Sequence, residues 1–151
     1  MKVYLASPFF NEKETAVYDK VIAALRERDI DLFVPREHTI PNAWDMPNQI
    51  WAENVFAVDY LAITQCDVVV VLNFGMYSDS GTAWECGCAY ALGKKVINVL
   101  CMKDGEKIDF SLMMLNGTTA VCTLDEILLP RLDLQQILCC GKDINEYIEQ
   151  K

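Results

Sequence analysis

The sequence predicts one α/β domain, a doubly wound and mostly parallel sheet flanked by helices. Three observations predict it. Short, wholly apolar runs such as residues 68–72 (VVVVL) fit strands buried on both faces of a parallel sheet. Such runs alternate with stretches of helical spacing, the pattern of right-handed β-α-β crossovers. The 151 residues, 52% hydrophobic, can bury one sizeable core and leave no room for a second domain.

Residues 1–6 (MKVYLA) read as a first strand, closed by Ser7-Pro8. Residues 12–28 follow as a helix, with Ala16, Val17, Val21, Ile22 and Leu25 at helical spacing. A second strand, residues 30–34 (IDLFV), stops at Pro35. Residues 36–47 hold two prolines, Asn42 and the only histidine, so they form a long loop of the kind that often carries function. Pro47 suits the first turn of a helix running to about Gln65. After the third strand, residues 73–81 form a polar loop and residues 82–92 a helix ended by Gly93. Residues 96–100 are a fourth buried strand; 109–116, 121–129 and 143–150 carry weaker signals. The whole reads as a Rossmann- or flavodoxin-like domain. In such sheets ligands bind beyond the carboxyl ends of the strands, where the strand order switches. The loops after Ala6, Val34 and Leu72 lie at those ends.

Composition excludes several functions. A net charge of −9 argues against a nucleic-acid partner, because binding the phosphate backbone depends on Lys and Arg. No apolar run approaches the roughly 18 residues of a membrane helix, and the N-terminus turns polar too early for a signal peptide. Seven cysteines, an odd number, sit mostly in apolar segments, as Cys66, Cys86, Cys88, Cys101 and Cys122 do. That suits reduced thiols in a cytoplasmic protein. With one histidine and no CxxC, a metal site has little support. No GxGxxG follows the first strand and no Walker motif occurs, which disfavours dinucleotide and ATP folds.

Three carboxylates stand at or beside the strand ends: Asp59, Asp79 and Glu85. Glu85 lies about one turn into a helix, where the macrodipole favours its ionised form. Its neighbours Gly81, Ala83 and Gly87 are small, so a ligand or another backbone can approach closely. On residue types alone, Asp79 reads equally as a loop or capping residue, and Glu85 as a solvated helix face. Tyr4, Phe9 and Phe10 offer rings that either stack on a planar base or pack the core. His38, in its polar loop, reads as an ordinary surface residue.

Taken together and in order, YLASPFF, VDYLAITQCDVVVVL and SDSGTAWECGCAYALGKKV resemble the nucleoside 2-deoxyribosyltransferase family. The likeness runs from Met1 to about Leu100 and fades in the last third. Its most specific element is D-x-G-x-x-x-E-x-G, formed by Asp79, Gly81, Glu85 and Gly87, with Asp59 eight residues before Asp67. The resemblance implies that Glu85 attacks C1′ of deoxyribose and that Asp79 holds the 5′-hydroxyl. It implies that Asp59 faces the base and protonates it as it leaves. Tyr4 orients Glu85, and Phe9 and Phe10 line the base pocket. It further implies 2′-deoxynucleosides and free nucleobases as substrates, no metal or organic cofactor, poor tolerance of ribose, and a homo-oligomer with shared active sites. Asn116 is the candidate for an asparagine given to a neighbouring site. Tyr147 stands four residues before the end, where the family often has a terminal tyrosine, and no glutamine between Arg36 and Trp44 matches the family's base contact. The alternatives are an N-glycoside hydrolase of deoxynucleosides or their 5′-monophosphates, and a nucleoside-binding module without turnover.

Overall fold

The computed structural model describes residues 1–102, 106 and 109–147. Five strands form one sheet: β1 (Lys2–Ala6), β2 (Asp31–Phe33), β3 (Val68–Asn73), β4 (Lys95–Leu100) and β5 (Ala120–Thr123). Their order is β2-β1-β3-β4-β5, and every neighbouring pair is parallel. The order reverses between β1 and β3, so a crevice opens beyond the carboxyl ends of those two strands.

Strand alternation sorts the core into two layers. Val3, Leu5, Val68, Val70, Leu72, Ile97 and Val99 point to one face and meet Tyr18, Val21, Ile22 and Leu25 of α1 (Glu12–Arg26). Ile127 of α5 (Leu124–Leu128) and Ile137 of α6 (Leu134–Cys140) pack on that same face. Tyr4, Ala6, Val69, Val71 and Val96 point the other way. They meet Ile63 of α2 (Asn48–Gln65) and Cys86 and Ala89 of α3 (Ser80–Ala91). Helices on both faces complete the doubly wound fold.

Local chemistry sets the helix ends. Asn11 caps α1 by accepting from the Glu14 N–H at 3.0 Å, and Glu14 in turn accepts from the Phe10 N–H at 2.9 Å. The helix stops two residues before the expected Arg28. That arginine instead donates to the carbonyls of Ala24, Ile127, Leu129 and Leu132, tying α1 to the α5–α6 segment. Pro47 is the N-cap of α2 rather than its first helical residue. At the far end of α2, Lys94 Nζ donates to the carbonyls of Thr64 and Cys66, placing a cation where the helix leaves carbonyls unpaired.

The weakly patterned last third contributes α4 (Leu112–Asn116), β5, α5 and α6. Capping boxes at Thr123 and Asp133 start α5 and α6. Of the expected element 143–150, the structure describes only a 3-10 turn at Asn145–Tyr147; residues 148–150 lie outside the described residues. The cysteines at 66, 86, 101 and 122 are buried and all seven are free thiols. Among the described residues no helix is long and apolar enough to cross a membrane.

Candidate active site

Tyr4 is the middle residue of β1, and the alternation of that strand turns it towards α2 and α3. Its ring is fully buried and stacks on Phe33 with centroids 5.4 Å apart. Its hydroxyl donates to Glu85 Oε1 at 2.6 Å. Burial, and then the negative charge of Glu85, push the Tyr4 phenol far above its ordinary range, so it stays a donor.

Burial also governs Glu85. Its carboxyl is pushed up from 4.5 to about 7, against the opposing bond from Tyr4, and the charges of Asp59 and Asp79 add to the rise. The expectation that the helix N-terminus keeps Glu85 ionised is thereby corrected: α3 begins at Ser80, so Glu85 sits beyond the first turn, and loss of water outweighs the macrodipole. Asp59, midway along α2, is likewise raised by burial, with the charge of His38 pulling the other way.

Two adjoining chambers share Trp51, Val55 and Asp59 in their walls. The smaller, about 470 Å³, is closed by Phe56, Gly81, Trp84 and Glu85. The larger, about 760 Å³, is bordered by Phe9, Arg36, His38 and Trp44. Asp59 therefore borders both, sharing the smaller with the half-buried carboxylate of Glu85 and the larger with aromatic rings. Such a pair can attack an electrophilic carbon at one end of a ligand and exchange a proton at the other.

The other expected residues divide. Asp79 is the N-cap of α3: its Oδ2 accepts from the Thr82 N–H at 2.9 Å and from Thr82 Oγ1 at 3.2 Å. A Cβ on Gly81 would stand 3.0 Å from that same oxygen, so the close approach this glycine permits is that of Asp79's own carboxylate. Phe9 borders the larger chamber, whereas Phe10 is 73% exposed and stacks on the ring of Phe9, outside the residues lining either chamber. Asn116 is exposed at the end of α4; its amide donates to the Leu112 carbonyl and its own carbonyl accepts from Lys142. Tyr147 meets Phe110 edge-on within its own chain, centroids 6.1 Å apart.

Three contributors escape the sequence reading: Trp51, Phe33 and His38. Trp51, Val55 and Asp59 are spaced by four on α2, so helical periodicity counted back from Asp59 finds the tryptophan. Phe33 and His38 meet only through the fold. Among the described residues no three potential metal ligands cluster.

Comparison with known proteins agrees with this architecture. The sequence profile of the family described as nucleoside 2-deoxyribosyltransferase matches residues 3–117, which reaches past the stretch expected from the motifs. A solved 2-deoxyribosyltransferase from the psychrotolerant bacterium Bacillus psychrosaccharolyticus is 32% identical, with a TM-score of 0.76 over 91% of this chain and 96% of its own. A conserved protein from Enterococcus faecalis V583 (20% identity, 84% and 96% covered, TM-score 0.68) shares the fold. So does a CMP N-glycosidase from Clostridium botulinum (22% identity, 85% and 96% covered, TM-score 0.56). No curated protein sequence matches significantly. Profile and first neighbour define the class: an enzyme of the deoxyribosyltransferase type. The chain belongs to the nucleoside 2-deoxyribosyltransferase family.

Proposed function

We propose that this protein moves 2-deoxyribose from one nucleobase to another through an ester formed on Glu85, with retention of the β configuration. The observation that carries the reading is the half-buried Glu85 carboxylate, held by Tyr4 and lining the same chamber as Asp59.

The chemistry follows from the transition state. The glycosidic bond breaks with oxocarbenium character at C1′, and a carboxylate beside that carbon stabilises the charge and then traps it. Tyr4 fixes one oxygen of Glu85 and leaves the other to bond to carbon. Asp59 delivers a proton to the departing base. A second base, rather than water, then attacks C1′ from the face the first one left, and the two inversions sum to retention. Every step uses the chain's own carboxylates and phenol, so the reading needs no metal or organic cofactor.

Asp79 uses one oxygen as helix cap; in this reading the other accepts the 5′-hydroxyl of the sugar. Its negative charge opposes a 5′-phosphate, which favours nucleosides over their monophosphates. Glu85 directly beneath the sugar crowds a 2′-hydroxyl, which favours deoxyribose. Phe9 and Trp51 flank the base. The reading places the enzyme in nucleoside salvage in the cytoplasm.

We also read the protein as a homo-oligomer. Within the protomer α2 buries only Ile63, while Ile50, Trp51, Phe56, Tyr60 and Leu61 are exposed along it. An apolar surface of that extent is typical of an interface between subunits. Asn116 is exposed, with its amide bonded to the Leu112 carbonyl, and Tyr147 is engaged by Phe110 of its own chain, so in this reading Asn116 would turn from that bond to reach a neighbour's site.

The test is incubation with deoxyinosine and free adenine or cytosine, products followed by chromatography, beside Glu85→Ala. Deoxyadenosine or deoxycytidine formed by wild type alone supports transfer. Hypoxanthine and free deoxyribose without transfer move the protein to the hydrolases. No turnover of nucleosides or monophosphates leaves a binding module.

A further inference from the structure

The wall of the larger chamber holds a second group able to exchange a proton. The His38 ring lies flat on Phe33, centroids 3.9 Å apart and planes 4° from parallel, and Phe33 stacks in turn on Tyr4. His38 closes a 3-10 turn at Pro35–Glu37, its N–H donating to the Pro35 carbonyl at 3.0 Å. That turn is braced against α1. Arg36 pairs with Asp19 and lies 4.8 Å above the Tyr18 ring, and Glu37 pairs with Arg26. An exposed loop histidine is thus held in one place, and it borders the same chamber as Asp59.

The charged neighbours on that wall are few. Arg36 is committed to Asp19 and Glu37 to Arg26, while Asp45 borders the chamber with Asp59. Of these, His38 acts electrostatically on Asp59, opposing the rise that burial causes. An imidazole carries a donor N–H in either protonation state, so it can share the proton traffic of Asp59 on that wall.

We propose that His38 is the second proton donor of the transfer reaction, working with Asp59 to protonate the departing base and to take the proton back from the incoming one. The proposal rests on the transferase reading. As the C1′–N bond breaks, its electron pair stays with the base, and a ring nitrogen or exocyclic oxygen of that base takes the imidazolium proton. Glu85 meanwhile forms the C1′–O bond. In the second half the incoming base forms its C1′–N bond, the ester bond breaks back to the Glu85 carboxylate, and the proton of the incoming base returns to the neutral imidazole. No net proton is consumed.

A base that carries a methyl group on N7 leaves as a neutral molecule without being protonated, so it separates this role from a packing role. Release of the first base in a single turnover without an acceptor would be measured from 2′-deoxyinosine and from 7-methyl-2′-deoxyinosine, with wild type, His38→Ala and His38→Phe, and transfer to adenine would be followed with wild type. The phenylalanine keeps a ring on Phe33 and removes both nitrogens. We expect both variants to lose roughly a hundredfold in the rate of base release from deoxyinosine and to stay within about twofold of wild type on the methylated nucleoside. Equal losses on both substrates, or no loss on either, overturn the role of His38 while leaving the transferase reading intact. A wild-type enzyme that transfers from neither nucleoside overturns that reading, and this inference with it.

Discussion

Tyr4 and Glu85 stand 81 positions apart in sequence and 2.6 Å apart in space, phenol to carboxylate. One comes from β1, beside the switch in strand order, the other from α3, the helix that follows β3 across that switch. The bond works against burial, which alone would leave Glu85 even more reluctant to ionise.

Tyr4→Phe removes the donor that favours the Glu85 carboxylate. The carboxyl then rises further above about 7, and a nucleophile must be ionised to attack. The acid limb of the kcat profile should move to higher pH, with a larger loss at pH 6 than at pH 8. A uniform loss across pH would show that Tyr4 does not act through the ionisation of Glu85.

Glu85 also affects the fold. Its carboxyl is higher in the folded chain, at about 7, than its ordinary 4.5. Stability is therefore complete below the lower value and declines as pH rises through the higher one. Glu85→Gln keeps an acceptor for Tyr4 and removes the charge. It should abolish transfer and add about 2–3 kcal/mol at pH 8 but little at pH 4. Melting temperatures at the two pH values check this; an equal gain at both contradicts it.

Asp79 serves as helix cap and, in our reading, as the barrier to phosphate, and two substitutions separate these. Asp79→Ala should cost about 1 kcal/mol of stability by removing the cap. Asp79→Asn keeps a capping oxygen and drops the charge, so stability should hold while the preference for deoxynucleosides over their 5′-monophosphates weakens. Denaturant titration and a KM comparison between the two substrates give the readouts.

Tyr60 stacks on Phe56 at 5.9 Å on the open face of α2 and is 40% exposed in the protomer. If a second copy covers that face, Tyr60→Glu buries an unpaired charge at the contact. Light scattering should then show a smaller assembly than wild type. A wild-type protein that runs as a monomer at micromolar concentration removes the shared-site reading.

Residues with strong periodicity were legible in advance. The run at 68–72 is β3, less its last residue, and the helix read at 82–92 is α3, which starts two residues earlier because Asp79 caps it. The last third was poorly legible because its helices are five to seven residues long, too short for a 3.6-residue period to repeat clearly. His38 is exposed, as its polar loop suggested, but its stacking on Phe33 and its place beside a chamber are relations between β2, a braced turn and α2 that the loop's composition does not show.

The sequence by itself determined the fold class and the set of carboxylates, since apolar periodicity is a property of neighbours along the chain and the D-x-G-x-x-x-E-x-G spacing lies within one loop and helix. Only the tertiary structure decided the chemical state of that set. Burial raises Glu85 and Asp59, strand alternation turns Tyr4 towards Glu85, and the switch between β1 and β3 brings them to one crevice. Proton affinity depends on water, charges and donors within a few ångströms, and those arrive from segments far apart in sequence.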